Sequence, residues 1–301
     1  MKIVIAGGTG TLGRRIAADL AQVADEVVVL TRSPRSGAAF RQVGWDGRSV
    51  GSWAAELQDS VVVNLAGELV DRRPTPGNLE LLTRSRVEPT AALVAASHSC
   101  TRPPSLWLQA STTAIYGDAG DAVITEGSPI PAGPPQMPGV ARPWEEAAKD
   151  AHVARQVIFR MSLVFDTDTR VLDRLSKIVR FGLGGRISTG RQWVSWIHVR
   201  DTLRAIRFVL DSEIDGVLNI TSPEPVQNET LMAELRRSLK RPWSPPVPAA
   251  LVRVGAFLMR SDPALALTGR RCVPARLLDA GFEFEYPGLR DALDDLFSGS
   301  S

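Results

Sequence analysis

The first thirteen residues constrain this chain more than any other stretch. A short β-branched run, Ile3-Val4-Ile5-Ala6, passes without a linker into Gly7-Gly8-Thr9-Gly10-Thr11-Leu12-Gly13. Leu12, Ile16, Ala17, Leu20 and Val23 then fall on one stripe of helical spacing, predicting a helix over Leu12–Ala24. A buried strand that turns through glycines into an amphipathic helix opens a dinucleotide-binding βαβ unit. Each glycine has its own task there: a tight turn, close backbone approach to a pyrophosphate, and close packing of helix on strand. The phosphates sit at the helix N-terminus. In a chain with 25 glycines among 301 residues the spacing alone is weak, so its place on the first strand-to-helix turn carries the reading. Gly7, Thr9, Gly10, Thr11, Leu12 and Gly13 are therefore candidate cofactor residues.

The end of the second strand, predicted at Glu26–Leu30, selects the dinucleotide. A carboxylate there would hold an adenosine ribose, but the segment reads Val28-Val29-Leu30-Thr31-Arg32-Ser33. Arg32, with Ser33 or Arg14 nearby, offers a guanidinium for a 2′-phosphate, which favours NADP(H) over NAD. The plain alternative is a solvated arginine.

Short β-branched runs continue to alternate with helical segments. Strands are predicted at Ser60–Leu65, Leu106–Ala110, Val157–Leu163 and Val217–Ile220, and helices at Leu79–Ser97 and Trp144–Val153. That alternation predicts an α/β fold, a doubly wound parallel Rossmann sheet, followed by a smaller, mainly helical C-terminal domain punctuated by prolines. The expected division is 1–165 with 195–222 for the Rossmann domain, and 166–194 with 223–301 for the substrate side. Ser128–Pro143 holds six prolines and two glycines in sixteen residues and reads as a long loop near the site. Phe181–Arg186 reads as a flexible lid or a turn.

Composition removes several function classes. Lys and Arg total 35 against 33 acidic residues, dispersed without a basic run, so nucleic acid is not an expected partner. Two cysteines, Cys100 and Cys272, are too few for a disulfide framework and fit a reducing compartment, with the cytoplasm as the expectation. The N-terminal apolar run is too short for a secretory signal. The apolar stretch Val247–Met259 carries Arg253 and falls short of the ~18 residues of a membrane helix, so no membrane partner is expected.

The glycine turn, Asn64-Leu65-Ala66-Gly67 and Ser111-Thr112-Thr113-Ala114-Ile115-Tyr116-Gly117 together resemble an extended short-chain dehydrogenase/reductase. Ser85-Arg86-Val87, Trp144-Glu145, Phe181-Gly182-Leu183-Gly184-Gly185, Gly190-Arg191-Gln192-Trp193 and Ser195-Trp196-Ile197-His198 narrow the resemblance, as do Val217-Leu218-Asn219 and Gly281-Phe282-Glu283-Phe284. The chain resembles the atypical YfcH-like epimerase family, which carries a C-terminal domain of unknown function. The resemblance spans nearly the whole chain. It implies an NADP(H) site that includes Leu65, Ala66 and Gly67, with Asp46 at the adenine, and a cleft for a small-molecule substrate. It also implies that His198 is a structural hydrogen-bonding residue, and it leaves a homodimer open.

One departure is chemical. Short-chain dehydrogenases use a Tyr-x-x-x-Lys pair, the lysine lowering the tyrosine pKa. Tyr116 and Tyr286 are the only tyrosines, followed four residues on by Gly120 and Arg290, and the helix near Trp144 offers Trp144/Ala148 or Met137/Ala141 instead. The hydroxyl position survives as Thr112. An unassisted phenol with pKa near ~10 is a poor base but an available acid, so reduction suffers less than the alcohol oxidation that begins an epimerisation. The expected activity is NADPH-dependent reduction of a carbonyl or enone, with Thr112 bonding the developing oxyanion and Tyr116 or a water giving the proton. The rivals are a catalytically silent NADP(H) sensor and an NADP-assisted epimerase or isomerase. Arg86 and Arg160 are read either as anion ligands in the cleft or as salt-bridge residues.

Overall fold

The computed structural model describes residues 1–131 and 138–298. Seven strands form one parallel sheet: β1 (Lys2–Ala6), β2 (Glu26–Thr31), β3 (Arg41–Gly44), β4 (Ser60–Asn64), β5 (Leu106–Thr112), β6 (Gln156–Met161) and β7 (Gly216–Ile220). Their spatial order is β7-β6-β5-β4-β1-β2-β3. The chain winds outward from β1 to β3, returns to β4 on the other side of β1, and winds away again. This reversal leaves a crevice above the carboxyl ends of β1 and β4, where doubly wound sheets place their ligands. Register brings Ala6 beside both Leu30 and Asn64, and Thr112 beside Met161.

Strand alternation explains why both faces are covered. Ile3 and Ile5 point to one face and Val4 and Ala6 to the other, and all four are fully buried. On the first face they meet Ile16 and Leu20 of α1 (Thr11–Leu20) and Ile206 and Val209 from the helix Val199–Leu210. On the second they pack with Leu93 and Ala96 of α2 (Pro76–His98) and with Trp107. A third core joins Phe165, Leu172 and Trp196 to Leu231, Leu235, Leu289 and Leu293, tying the segment after β6 to the C-terminal helices. No helix among the described residues is long and apolar enough to cross a membrane.

Three local differences from the sequence reading have physical causes. β3 has no apolar run to announce it, because an edge strand half-open to solvent needs none. The helix expected at Trp144–Val153 is α3, Pro138–Ala148, so it takes up the end of the proline-rich loop. Proline at a helix's first position is well tolerated, whereas Pro143 forfeits one backbone bond inside it. Glu145 and Glu146 consequently lie in the second half of α3 rather than its first turn. The middle of the proline-rich loop and the Met137 of the alternative register lie outside the described residues.

Candidate functional site

The glycine turn is built as its spacing requires. Gly7 adopts φ +82°, and a Cβ there would stand 2.8 Å from the Leu65 carbonyl carbon and oxygen. A Cβ on Gly13 would stand 2.3 Å from the Gly7 carbonyl oxygen, so only glycine lets α1 approach β1 this closely. Gly10 caps α1 without any side-chain bond to the helix, and the first turn carries no acid. The amides of that turn therefore stay open at the positive end of the helix dipole, where they suit a phosphate. Arg14 follows, its guanidinium bonded to the Thr9 carbonyl at 2.8 Å.

Across the crevice, buried Asn64 sets the second wall. Its amide donates to Thr90 Oγ1 at 2.8 Å and Gln109 Oε1 at 2.9 Å, and its Oδ1 accepts from Ala66 N–H at 3.2 Å. Leu65 N–H donates to the Ala6 carbonyl at 2.9 Å. Leu65 and Ala66 are thus brought against the glycine turn, and Gly67 lies against the Arg86 side chain.

Beyond β2, exposed Arg32 lines a cavity of about 580 Å³ with Trp45, Asp46, Ser49 and Trp53. Arg32 stands there with Asp46, and Ser33 lies beside it at the strand end. Asp46 binds its own loop: Oδ1 accepts from the Arg48 and Ser49 amides at 2.8 and 2.9 Å, and Oδ2 from the Ser49 hydroxyl at 2.6 Å. The Ser49 hydroxyl, with the two amides, lowers the Asp46 carboxyl to about 2. Its acceptor capacity toward an adenine is correspondingly shared with the turn. Taken together, the glycine cradle, the open helix terminus and the cation beyond β2 fit a dinucleotide carrying a third phosphate.

The two candidate catalytic residues part company. Thr112 ends β5, half-buried, and its Oγ1 accepts from Ala114 N–H at 3.1 Å. That bond orients the hydroxyl and leaves its proton for another acceptor. Tyr116 is only 2% exposed and packs with Ile115, Ile124 and Cys272. Its hydroxyl donates to Asn219 Oδ1 at 3.0 Å and accepts from Arg160 Nη1 at 2.9 Å. Burial raises its pKa, with Arg160 opposing. The phenol is thus committed on both sides to the interior, and the expected role of Tyr116 as proton source has no geometric support.

What the sequence did not reveal is the group holding that phenol. Arg160 and Glu145 form a two-pronged ion pair, Nε to Oε1 at 2.9 Å and Nη2 to Oε2 at 2.8 Å. Burial works against the Arg160 charge, yet Glu145 holds its pKa above the usual value. Ser111 donates to the same carboxylate. The sequence reading had offered Arg160 as a salt-bridge residue, but nothing in it pointed to Glu145 or Ser111 as the partners.

Other candidates settle elsewhere. His198 is 1% exposed and caps the helix Val199–Leu210, its Nδ1 accepting from Arg200 N–H at 3.2 Å. Its ring lies 4.1 Å from that of Tyr286, and burial lowers its pKa. In Phe181–Arg186, Gly185 is pressed so closely on Pro245 that a Cβ would lie 1.8 Å from its carbonyl oxygen, which fixes that end of the segment, while Phe181 and Leu183 stand exposed.

Residues 3–221 match the NAD dependent epimerase/dehydratase family, and residues 247–296 match a domain of unknown function, DUF1731. The epimerase family protein ML0860 of Mycobacterium leprae is 32% identical over 299 residues, covering 97% of this chain and 94% of that protein. The epimerase family protein SH2119 of Staphylococcus haemolyticus is 30% identical, covering 98% of each. Among solved structures, that of the human epimerase family protein SDR39U1 (isoform 2) with NADPH superimposes with a TM-score of 0.87 at 28% identity, covering 99% of each chain.

Proposed function

Because this chain belongs to the NAD dependent epimerase/dehydratase family, we propose that it binds NADP(H) and reduces a carbonyl or enone of a small organic molecule. The observation that carries this reading is the pairing of a glycine cradle with an oriented Thr112 hydroxyl at the carboxyl edge of the sheet. The human relative crystallised with NADPH supports the choice of cofactor. When bound, the nicotinamide supplies a hydride to an electrophilic carbon.

The protein's own residues divide the remaining work. The open amides of Thr11 and Leu12 at the start of α1, with Thr9 and Gly10 forming the turn before them, hold the pyrophosphate, and Arg32 takes the 2′-phosphate. Leu65, Ala66 and Gly67 form the opposite wall. Thr112 donates its hydroxyl hydrogen to the substrate oxygen as negative charge gathers there, and the neutralising proton comes from water. Oxidation of an alcohol would need a base, and the Tyr116 phenol is raised in pKa and bonded to Asn219 and Arg160. That asymmetry favours reduction over a mechanism that begins with oxidation.

Two results test the assignment. Thr112→Val slows NADPH oxidation about a hundredfold in single-turnover stopped flow, the worth of one donor to an oxyanion, while NADPH affinity stays unchanged. Unaltered turnover would remove Thr112 from the reaction. Arg32→Ala weakens NADPH binding about tenfold to a hundredfold in calorimetry and leaves NADH binding as it was, because one charge-assisted phosphate contact is lost. Equal loss for both coenzymes would assign Arg32 another role. Tight NADPH binding without oxidation by any ketone or enone would favour the silent sensor instead.

A further inference from the structure

Among the described residues, Arg86 is a buried cation without an ion-pair partner. It is 6% exposed, and its guanidinium meets only neutral oxygens: Nη1 donates to the Leu82 carbonyl at 3.0 Å and Ser85 Oγ at 3.4 Å, and Nη2 to the Glu68 carbonyl at 2.8 Å. Among the described residues its Nε–H, also buried, has no partner, and no carboxylate forms an ion pair with the guanidinium. The contrast with Arg160, equally buried but paired with Glu145 on two prongs, is direct. Burial lowers the Arg86 pKa to about 10, with the Glu68 charge opposing, so the residue is still charged at neutral pH. A lone charge in such surroundings is costly unless an anion reaches it.

A second stranded donor lies beside the first. Trp144 of α3 is 6% exposed, and its indole Nε1–H is buried without a partner among the described residues. The Arg86 guanidinium carbon lies 5.1 Å from the centroid of the Trp144 ring. Both residues are tied to the crevice. Gly67 closes the turn after β4, and a Cβ there would stand 3.1 Å from Arg86 Cγ and Cζ, so the guanidinium lies flush against that turn. On the C-terminal side, Arg270 bonds through Nε to the Gly117 carbonyl at 2.9 Å, just past the Thr112–Tyr116 segment. It likewise has no ion-pair partner among the described residues, and burial lowers its pKa. One cation without an ion pair thus lies against the turn after β4 and another at the end of the Thr112–Tyr116 segment, and cations in a cleft concentrate anions.

We propose that the crevice takes a substrate bearing a carboxylate, which accepts from Arg86 Nε–H and Trp144 Nε1–H, so that the carbonyl or enone reduced is that of a keto acid or an unsaturated acid. The proposal rests on the NADPH-dependent reduction argued above and names its substrate class. A carboxylate suits the site because its two oxygens take two donors on different side chains at once, and charge-assisted bonds to guanidinium are the strong ones. A neutral substrate would leave both donors and the charge without a partner. In the reaction the hydride goes to the electrophilic carbon, the oxygen or the α-carbon takes up the proton from water, and NADPH leaves as NADP⁺, while the carboxylate is unchanged.

The test uses α-keto acids and α,β-unsaturated acids, each against its own methyl ester, with NADPH oxidation followed by stopped flow and NADPH binding measured separately by calorimetry. The acids are expected to exceed their esters at least about tenfold in kcat/KM. Arg86→Gln raises KM for the acid about a hundredfold, brings the acid-to-ester ratio toward one and leaves NADPH affinity unchanged, whereas Arg86→Lys restores part of the preference. Trp144→Phe keeps the ring and lowers the same ratio by a smaller factor. Equal use of acid and ester, or Arg86→Gln raising KM for both alike, overturns the carboxylate seat and leaves the reductase assignment standing. NADPH binding without oxidation by any acid, and without any acid altering the fluorescence of bound NADPH, also overturns it. Absence of NADPH binding would sink the reductase assignment, and this inference with it.

Discussion

Glu145→Ala lowers the thermal midpoint by about 10 °C. The substitution strands Arg160, whose side chain is 6% exposed, without its carboxylate, and breaking one side of a buried pair costs about 3–5 kcal/mol. For a chain of this size each kcal/mol moves the midpoint by about 2–4 °C. The damage spreads because the Ser111 hydroxyl loses its acceptor, and the guanidinium that steadies the Tyr116 hydroxyl becomes free to turn away. The double variant Glu145→Leu with Arg160→Met recovers much of the loss, since it removes the charge together with its partner. Thermal unfolding followed by circular dichroism measures both. An unchanged midpoint for Glu145→Ala would mean that the pair does not support the interior.

Gly13→Ala weakens NADPH binding by at least about a thousandfold, which is ~4 kcal/mol. One methyl suffices because it has nowhere to go: it would stand 2.3 Å from the Gly7 carbonyl oxygen and 2.7 Å from Gly8 Cα, all backbone. α1 must slide off β1, and the amides aimed at the pyrophosphate move with it. Gly10→Ala is the matching control. Its φ of −70° suits any residue, and the added Cβ meets only the Gly7 carbonyl oxygen at 3.3 Å. The fold therefore keeps its melting temperature while the methyl stands where the coenzyme's phosphates approach. Calorimetry with NADPH, beside thermal melts of both variants, separates the two effects. Full affinity in Gly13→Ala would show that this turn does not hold the coenzyme.

How far the sequence could be read depended on the range of the interaction involved. β1, the turn and α1 were legible because strand period, glycine spacing and helical stripe all act within a few residues. α2 was legible for the same reason, and its start is explained by Thr75, which accepts from Asn78 N–H at 3.3 Å, with Pro76 next in line. Thr112 could be placed because it ends a strand whose apolar run is plain. Tyr116 lies only four residues further on, yet its location depended on Asn219 and Arg160, which are 103 and 44 residues away. No periodicity carries such a contact. Arg86 shows the same divide: its side chain could be assigned to a helix from sequence, but not its lack of a carboxylate.

The chain's own order of residues determined the alternation of strand and helix, the glycine-built turn, the missing Tyr-x-x-x-Lys pair and the survival of Thr112. Only the folded molecule decided that the Tyr116 phenol faces inward, that Glu145 answers Arg160, and that Arg86 and Trp144 stand side by side with donors to spare. The physical reason is that backbone conformation and amphipathic period are local properties of neighbouring residues. Whether a buried charge or hydroxyl has a partner depends on what distant strands and helices bring within about 3 Å of it.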